Sequence, residues 1–312
     1  MLLLTVVILA LHAPRALAHG YVSQVIIDGN MYMGSSPGHY EGPSPIRTVA
    51  TDGPVQNTSA SDLACGVGAG PAQLNAIARP GSVVNITWVS GSGGNWPHEV
   101  GPVLTYLTAC GNISCVGFNT SGARWFKIAQ AGKNADGAGW VQQYIMEGSN
   151  FNVTLPDNLA PGGYLLRNEI IGLQNAMTPG GAEFFPSCTQ LRVIGNATGV
   201  PPTYDTVLLP GAYSATDPGI LVDAYTNPNA SYVFPGPPIA TLMNAPPASA
   251  PVSEYYDDWR HDDEQPLIYR GPAGTVVAGD RRSRDFPVFV PMVCRGCKHG
   301  KLWQRRLRAY LC

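Results

Sequence analysis

Hydrophobic and polar residues alternate along this chain in short bursts. Val84, Ile86 and Trp88 fall on one side and Asn85 and Thr87 on the other, the period-two pattern of a strand with one buried face. Similar β-rich runs occupy residues 21–27, 102–107, 151–155, 163–171 and 189–194, each bounded by turn residues. Six or more such strands joined by Gly/Pro turns predict an all-β, antiparallel sandwich. No stretch of helical period is long enough to alternate with strands as in α/β folds, and no internal repeat is present. From about residue 199 the chain turns Pro-rich and runs to Tyr232-Val-Phe-Pro-Gly-Pro-Pro238, which reads as a strap laid over the sandwich. Beyond about residue 245 come an Ala/Pro stretch, a charged stretch over 254–264 and a basic end at Arg305-Arg306-Leu-Arg308. Little fixed structure is expected there. The expected division is a leader over 1–18, a sandwich domain over 19–240 and a tail over 241–312.

Of 312 residues, 45% are hydrophobic and 13% charged, far too apolar for a disordered chain. Gly and Pro together make 64 residues, which disfavours long helices. A net charge of −2 gives no reason to expect nucleic acid as a partner. The balance is uneven: residues 19–251 carry 7 basic against 13 acidic groups, residues 252–312 carry 11 against 8. The main body is acidic.

Residues 2–11 form one apolar run, followed by Ala16-Leu17-Ala18, a small-x-small site that signal peptidase accepts. The run is too short to span a bilayer and no second apolar stretch approaches the length required, so a secreted, soluble protein is expected. Seven Asn-x-Ser/Thr sequons, at Asn57, Asn85, Asn112, Asn119, Asn152, Asn196 and Asn229, agree with export. The body holds an even set of cysteines, Cys65, Cys110, Cys115 and Cys188, and the tail an odd one, Cys294, Cys297 and Cys312. Two bridges are the simplest framework. Cys110 and Cys115 flank a short Gly-Asn turn and can close locally, which leaves Cys65 with Cys188.

Cleavage after Ala18 makes His19 the first residue. An N-terminal histidine is a chelate, because its α-amino nitrogen and Nδ1 can bind one metal, and a third nitrogen from another imidazole would complete a planar site that selects Cu(II). The body's other histidines are His39 and His98. The blander reading is that cleavage happens to fall before a histidine. Gly34-Ser35-Ser36-Pro37-Gly38 matches a serine-hydrolase elbow by letters, but neither a strand pattern before it nor a helical pattern after it is written in the sequence. Glu169 and Glu183 are the tempting pair for a glycosidase, yet Glu169 stands two residues from Arg167 on one strand, which suits a structural ion pair. In the tail, Cys294-Arg-Gly-Cys297-Lys-His299 is half a zinc site without a second pair.

A set of segments carries a specific resemblance. His19-Gly20-Tyr21-Val22, Trp96-Pro97-His98 with Gly101-Pro102, Trp125-Phe126-Lys127-Ile128, Ala160-Pro-Gly-Gly-Tyr164 through Arg167, Thr216-Asp217-Pro218-Gly219-Ile220 and Pro235-Gly-Pro-Pro238 resemble, in order, the fungal lytic polysaccharide monooxygenases of auxiliary activity family 9. The resemblance implies an immunoglobulin-like sandwich whose long loops form a flat face bearing one copper ion. It implies that His19, through amine and ring, and His98 hold the metal, and that an external electron donor and O₂ or H₂O₂ drive oxidative cleavage of cellulose or a hemicellulose at carbon 1 or carbon 4. A monomer without membrane or nucleic-acid partners is expected. The same resemblance exposes three departures: Phe185 stands where the family's axial tyrosine falls, Glu183 where its glutamine falls and Gln174 where its histidine falls. Tyr213, just before Thr-Asp-Pro-Gly, is the implied sugar-stacking residue, with Tyr40 a second candidate. Because Phe185, Glu183 and Gln174 depart from the pattern, the alternative is a non-catalytic copper- or glycan-binding protein of the same fold.

Overall fold

The computed structural model describes residues 19–134, 137, 139–226 and 230–244, together with the backbone of 268–270 and 276–278. The leader, the Asn229 sequon and the tail's cysteines and histidines lie outside the described residues. The six predicted runs appear as β1 (Gly20–Ile27), β4 (Val83–Ser90), β5 (Val103–Ala109), β7 (Phe151–Thr154), β8 (Gly162–Gly172) and β9 (Glu183–Val193), and the structure adds β2 (Asn30–Met33), β3 (Ala76–Ala78), β6 (Arg124–Ala131), β10 (Gly199–Val200), β11 (Val207–Leu208) and β12 (Met243–Asn244), which the pattern did not predict. One short helix, α1 (Val141–Met146), interrupts them.

Two sheets face each other, one in the order β2-β1-β4-β7 and one in the order β11-β6-β5-β8-β9-β3. All pairings in them are antiparallel except β3 with β9. Between them lies an apolar core in which Val25, Ile27, Val84, Ile86 and Trp88 of the smaller sheet meet Leu107, Phe126, Leu166, Ile170, Phe185 and Leu191 of the larger. The larger sheet is covered on its other face as well. There Leu104, Tyr106, Trp125, Leu165, Ile171 and Phe184 pack under loops and strap residues that include Leu63, Tyr213 and Ile220. The strap is tied down where the Lys127 ammonium donates to the Pro235 carbonyl at 2.9 Å.

Cys65–Cys188 and Cys110–Cys115 are both bridged, as the pairing argument expected. The first spans 123 residues and anchors the loop before β3 to β9. Arg167 and Glu169 form a fully buried ion pair on the outer face of β8, with Arg167 Nη1 donating to Glu169 Oε2 at 2.9 Å. In the second compact unit of the chain, over residues 250–312, β13 (Ile268–Arg270) and β14 (Val276–Ala278) pair antiparallel.

Two stretches escape a period-two reading. Along β6 both Trp125 and Phe126 are buried, because the sheet is covered on both sides and the run shows no alternation. The first half of β9 contains Pro186, which ordinarily demotes a strand. Its neighbours Phe184 and Cys188 turn their backbones away from β8: Phe184 N donates to Val55 O at 2.9 Å and Arg47 N donates to Cys188 O at 2.8 Å. Pro186 shares that outward orientation, so its missing N–H falls on the side away from β8 and costs no ladder bond.

Candidate metal centre

One end of the sandwich collects the residues singled out by the sequence. His19 stands just before β1, His98 lies in the loop between β4 and β5, Gln174 follows β8, and Glu183 and Phe185 open β9. Trp96, fully buried, is the hub. Its ring meets His98 edge-on at 5.7 Å, Phe185 at 4.9 Å and Trp88 at 5.8 Å between centroids. It also lies on the backbone of Gly20, where a Cβ would approach the ring to 2.6 Å. That contact explains why a glycine follows His19. Trp96 Nε1 donates to Gln142 Oε1 at 3.1 Å, and the same Gln142 side chain on α1 donates to Ile171 O at 2.8 Å. The loop carrying His98 is therefore fastened to the end of β8. Gly101 completes the fastening: its φ is +137°, and a Cβ there would come within 2.0 Å of Ile171 O.

The His19 segment is bound from two sides. Gly20 N donates to Asp52 O at 2.9 Å, and Gly91 N donates to His19 O at 3.1 Å. His98 is half-buried, and its Nε2 is buried with no hydrogen-bond partner among the protein atoms. Burial pulls the His98 ring below the ordinary histidine pKa, favouring the neutral form that a metal needs. A buried imidazole nitrogen left without a partner is costly unless something outside the chain satisfies it. The donors present thus fit a copper ion of the kind the resemblance implies. Among the described residues no three His, Cys, Asp or Glu side chains gather as a metal cluster, and an amine with two imidazoles requires none.

The three departures cluster beside this pair. Glu183 accepts from Gln174 Nε2 at 2.5 Å and from Asn175 Nδ2 at 3.4 Å. Burial pushes its carboxyl above the ordinary range, while those two amides and the charge of nearby His19 pull it back. The Gln174 Oε1 atom is buried without a partner. Phe185 is buried against Trp96.

The aromatic assignments need one correction. Tyr213 is 5% exposed, stacked on Phe184 at 5.7 Å, with its hydroxyl 2.7 Å from Glu169 and 3.0 Å from the Tyr106 hydroxyl. It is committed to the covered outer face of the larger sheet and cannot meet a sugar. Tyr40 is exposed, its hydroxyl donating to Gln73 at 2.9 Å. Tyr225, missed from sequence, is exposed over half its surface; partial burial of the rest raises its pKa, and the carboxylate of Glu99, the neighbour of His98, adds to the rise. Of the tyrosines on either side of the Thr-Asp-Pro-Gly turn, Tyr213 before it is buried and Tyr225 after it is exposed.

Fold and site together define a β-sandwich that carries His19 and His98 at one end, both packed about Trp96. The profile of auxiliary activity family 9, formerly GH61, matches residues 19–232. Lytic polysaccharide monooxygenase D of Gloeophyllum trabeum, a member of that family, is 50% identical over 74% of this chain and 67% of its own length. Lytic polysaccharide monooxygenase B of Malbranchea cinnamomea is 39% identical over 72% of this chain and 92% of its own. Among solved structures, a cellulose-active polysaccharide monooxygenase from M. thermophila superposes with a TM-score of 0.64 at 31% identity, covering 72% of this chain and all of that one. The chain belongs to auxiliary activity family 9. It is a copper-dependent lytic polysaccharide monooxygenase, an oxidoreductase that cleaves polysaccharide oxidatively with an external reductant, and the non-catalytic alternative is not favoured.

Proposed function

We propose that the amine and Nδ1 of His19 and the Nε2 of His98 hold the single copper ion, and that the polysaccharide is cellulose or a related cell-wall β-glucan. The observation that carries the metal assignment is the buried, unpartnered Nε2 of His98 at the end of the sandwich where β1 begins. Copper supplies one-electron reduction and activation of O₂ or H₂O₂, the chemistry that removes hydrogen from an unactivated sugar C–H. The chain supplies the rest. Trp96 and Gln142 fix the His98 loop, and Gly20 lets the first residue lie close against that tryptophan. Glu183, held by two amides, places a carboxylate beside His19, which favours the more oxidised, more positive metal. Gln174 offers amide hydrogens where the family has a titratable ring, so it can donate a hydrogen bond to an oxygen but cannot shuttle a proton. Phe185 presents an aromatic face with no oxygen toward its surroundings. Tyr225, Tyr40 and the polar loop residues around them form the surface on which sugar rings stack. The protein acts outside the cell as a monomer.

Mass spectrometry of soluble products tests this reading. Copper-loaded protein processed to begin at His19 is incubated with swollen cellulose and a panel of hemicelluloses, with and without ascorbate. Oxidised oligosaccharides that appear with ascorbate alone are the expected result and identify the substrate. A copper titration of a chain extended ahead of His19 tests the ligands separately: affinity equal to that of the processed chain overturns the terminal-amine assignment.

A further inference from the structure

Beneath the loop of residues 47–67, where it lies against the start of β1 and of β9, is a cavity of about 20 Å³ lined by Arg47, Gly20, Trp88, Phe185, Ser35 and Ser187 among others. Arg47 is 6% exposed. Its Nη2 donates to Phe118 O at 2.7 Å, but its Nε is buried and finds no acceptor in the protein. Burial alone draws its pKa down to about 10, with no carboxylate near enough to hold it up. A guanidinium placed so is an unusual expense, because a buried cation is normally paired with an acid.

From this geometry we infer that the cavity is a small-anion site, built for a single monovalent ion of halide type with Arg47 as its counter-charge. The space admits one body of about water size or a little larger, since roughly 10–15 Å³ suffices for one water. A water would give Nε an acceptor and leave the charge unopposed; a halide does both. The wall chemistry agrees with an anion. Ser35 Oγ already accepts from Glu41 N at 3.1 Å, which leaves its O–H to donate, and Ser187 adds a second hydroxyl. No carboxylate lines the space, so a cation would meet a positive wall. The proposal does not rest on the copper assignment, although the cavity adjoins the His19 segment: Gly20 and Gly53 line it, and a Cβ on Gly53 would stand 3.6 Å from the His19 ring.

Bromide is the probe. Crystals of the copper-loaded protein soaked in sodium bromide are measured at the bromine absorption edge. An anomalous peak within hydrogen-bond reach of Arg47 Nε is expected, and its position separates it from any bromide held at the metal. Density in the cavity without a bromine signal, or bromine confined to the outer surface as an adventitious ion only, overturns the proposal. In solution, bromide should raise the thermal midpoint saturably above the value in equal gluconate, an anion too large for the cavity. The rise should vanish in Arg47→Gln and persist in Arg47→Lys. An equal rise in Arg47→Gln also overturns the proposal, and because the diffraction measurement uses the unaltered protein, poor folding of a variant cannot obscure the answer.

Discussion

The two faces of the larger sheet are buried by different means. Toward the smaller sheet the contacts are aliphatic and aromatic, and the polar groups admitted there are satisfied in a short string: Trp88 Nε1 donates to Asn168 Oδ1 at 2.8 Å and Asn168 Nδ2 donates to Thr105 Oγ1 at 2.9 Å. Toward the strap the same strands present Arg167, Glu169, Tyr106 and Lys127, all at most 1% exposed. Arg167 Nε donates to Ala64 O at 3.0 Å, its Nη2 donates to Leu63 O at 2.8 Å, and the Tyr213 hydroxyl closes on Glu169. The inner face gives the fold its driving force, since apolar burial is non-directional. The outer face gives position: directional bonds fix where the loop of residue 64 and the strap run over the sheet. The surroundings of His98 follow the first kind of packing, through Trp88, Trp96 and Phe185.

The largest expected blow to the outer face is removal of its cross-link. Cys65→Ala with Cys188→Ala should cost about 4 to 5 kcal/mol by the loop-entropy argument, read as a lower denaturation midpoint. Arg167→Ala should come next, at roughly 3–5 kcal/mol, because it strands a buried Glu169; pairing it with Glu169→Leu should recover much of the loss. If the single and double variants were equally unstable, the network would not be acting as a pair. On the inner face Leu166→Ala should cost about 2 to 4 kcal/mol through cavity formation, with no such rescue by a second polar change.

The smallest effect is a pH dependence that belongs to the outer face alone. Burial draws Lys127 down to about 8, with Glu169 partly offsetting it, so between about pH 8 and pH 10 the unfolded chain binds more protons at this site than the folded one. Stability should therefore rise with pH over that window, by roughly 1–2 kcal/mol. Above pH 10 it should fall again, because burial raises Tyr106, Tyr213 and Tyr232 above the usual tyrosine value. Denaturant titrations across this range should show the rise in the native protein and lose it in Lys127→Met.

Most of the inner face was legible, because one-sided burial writes itself as alternation, as in Val84, Ile86 and Trp88. The outer face was not. Where both sides of a strand are covered the alternation disappears, and β6 was passed over although Trp125 and Phe126 are both buried. Arg167 and Glu169 were legible as a pair because they sit two apart on one strand. Tyr213 misled for the same reason that β6 was missed: nothing local distinguishes a tyrosine under a strap from one on a surface. The proposal for His19 rests on the chemistry of a free amine, which the sequence carries. The proposal for His98 rests on a nitrogen buried without an acceptor, which no spacing records.

Pro186 bears on the chain that covers it. It is buried, and a Cβ on Gly66 would stand 2.9 Å from its carbonyl oxygen. The covering chain bridges β9 at Ile46 and at Val55, and the proline between those bridges asks nothing of it, whereas any other residue there would bring a buried N–H that must find an acceptor. A residue that looks like a flaw in a strand relieves its neighbours of an obligation.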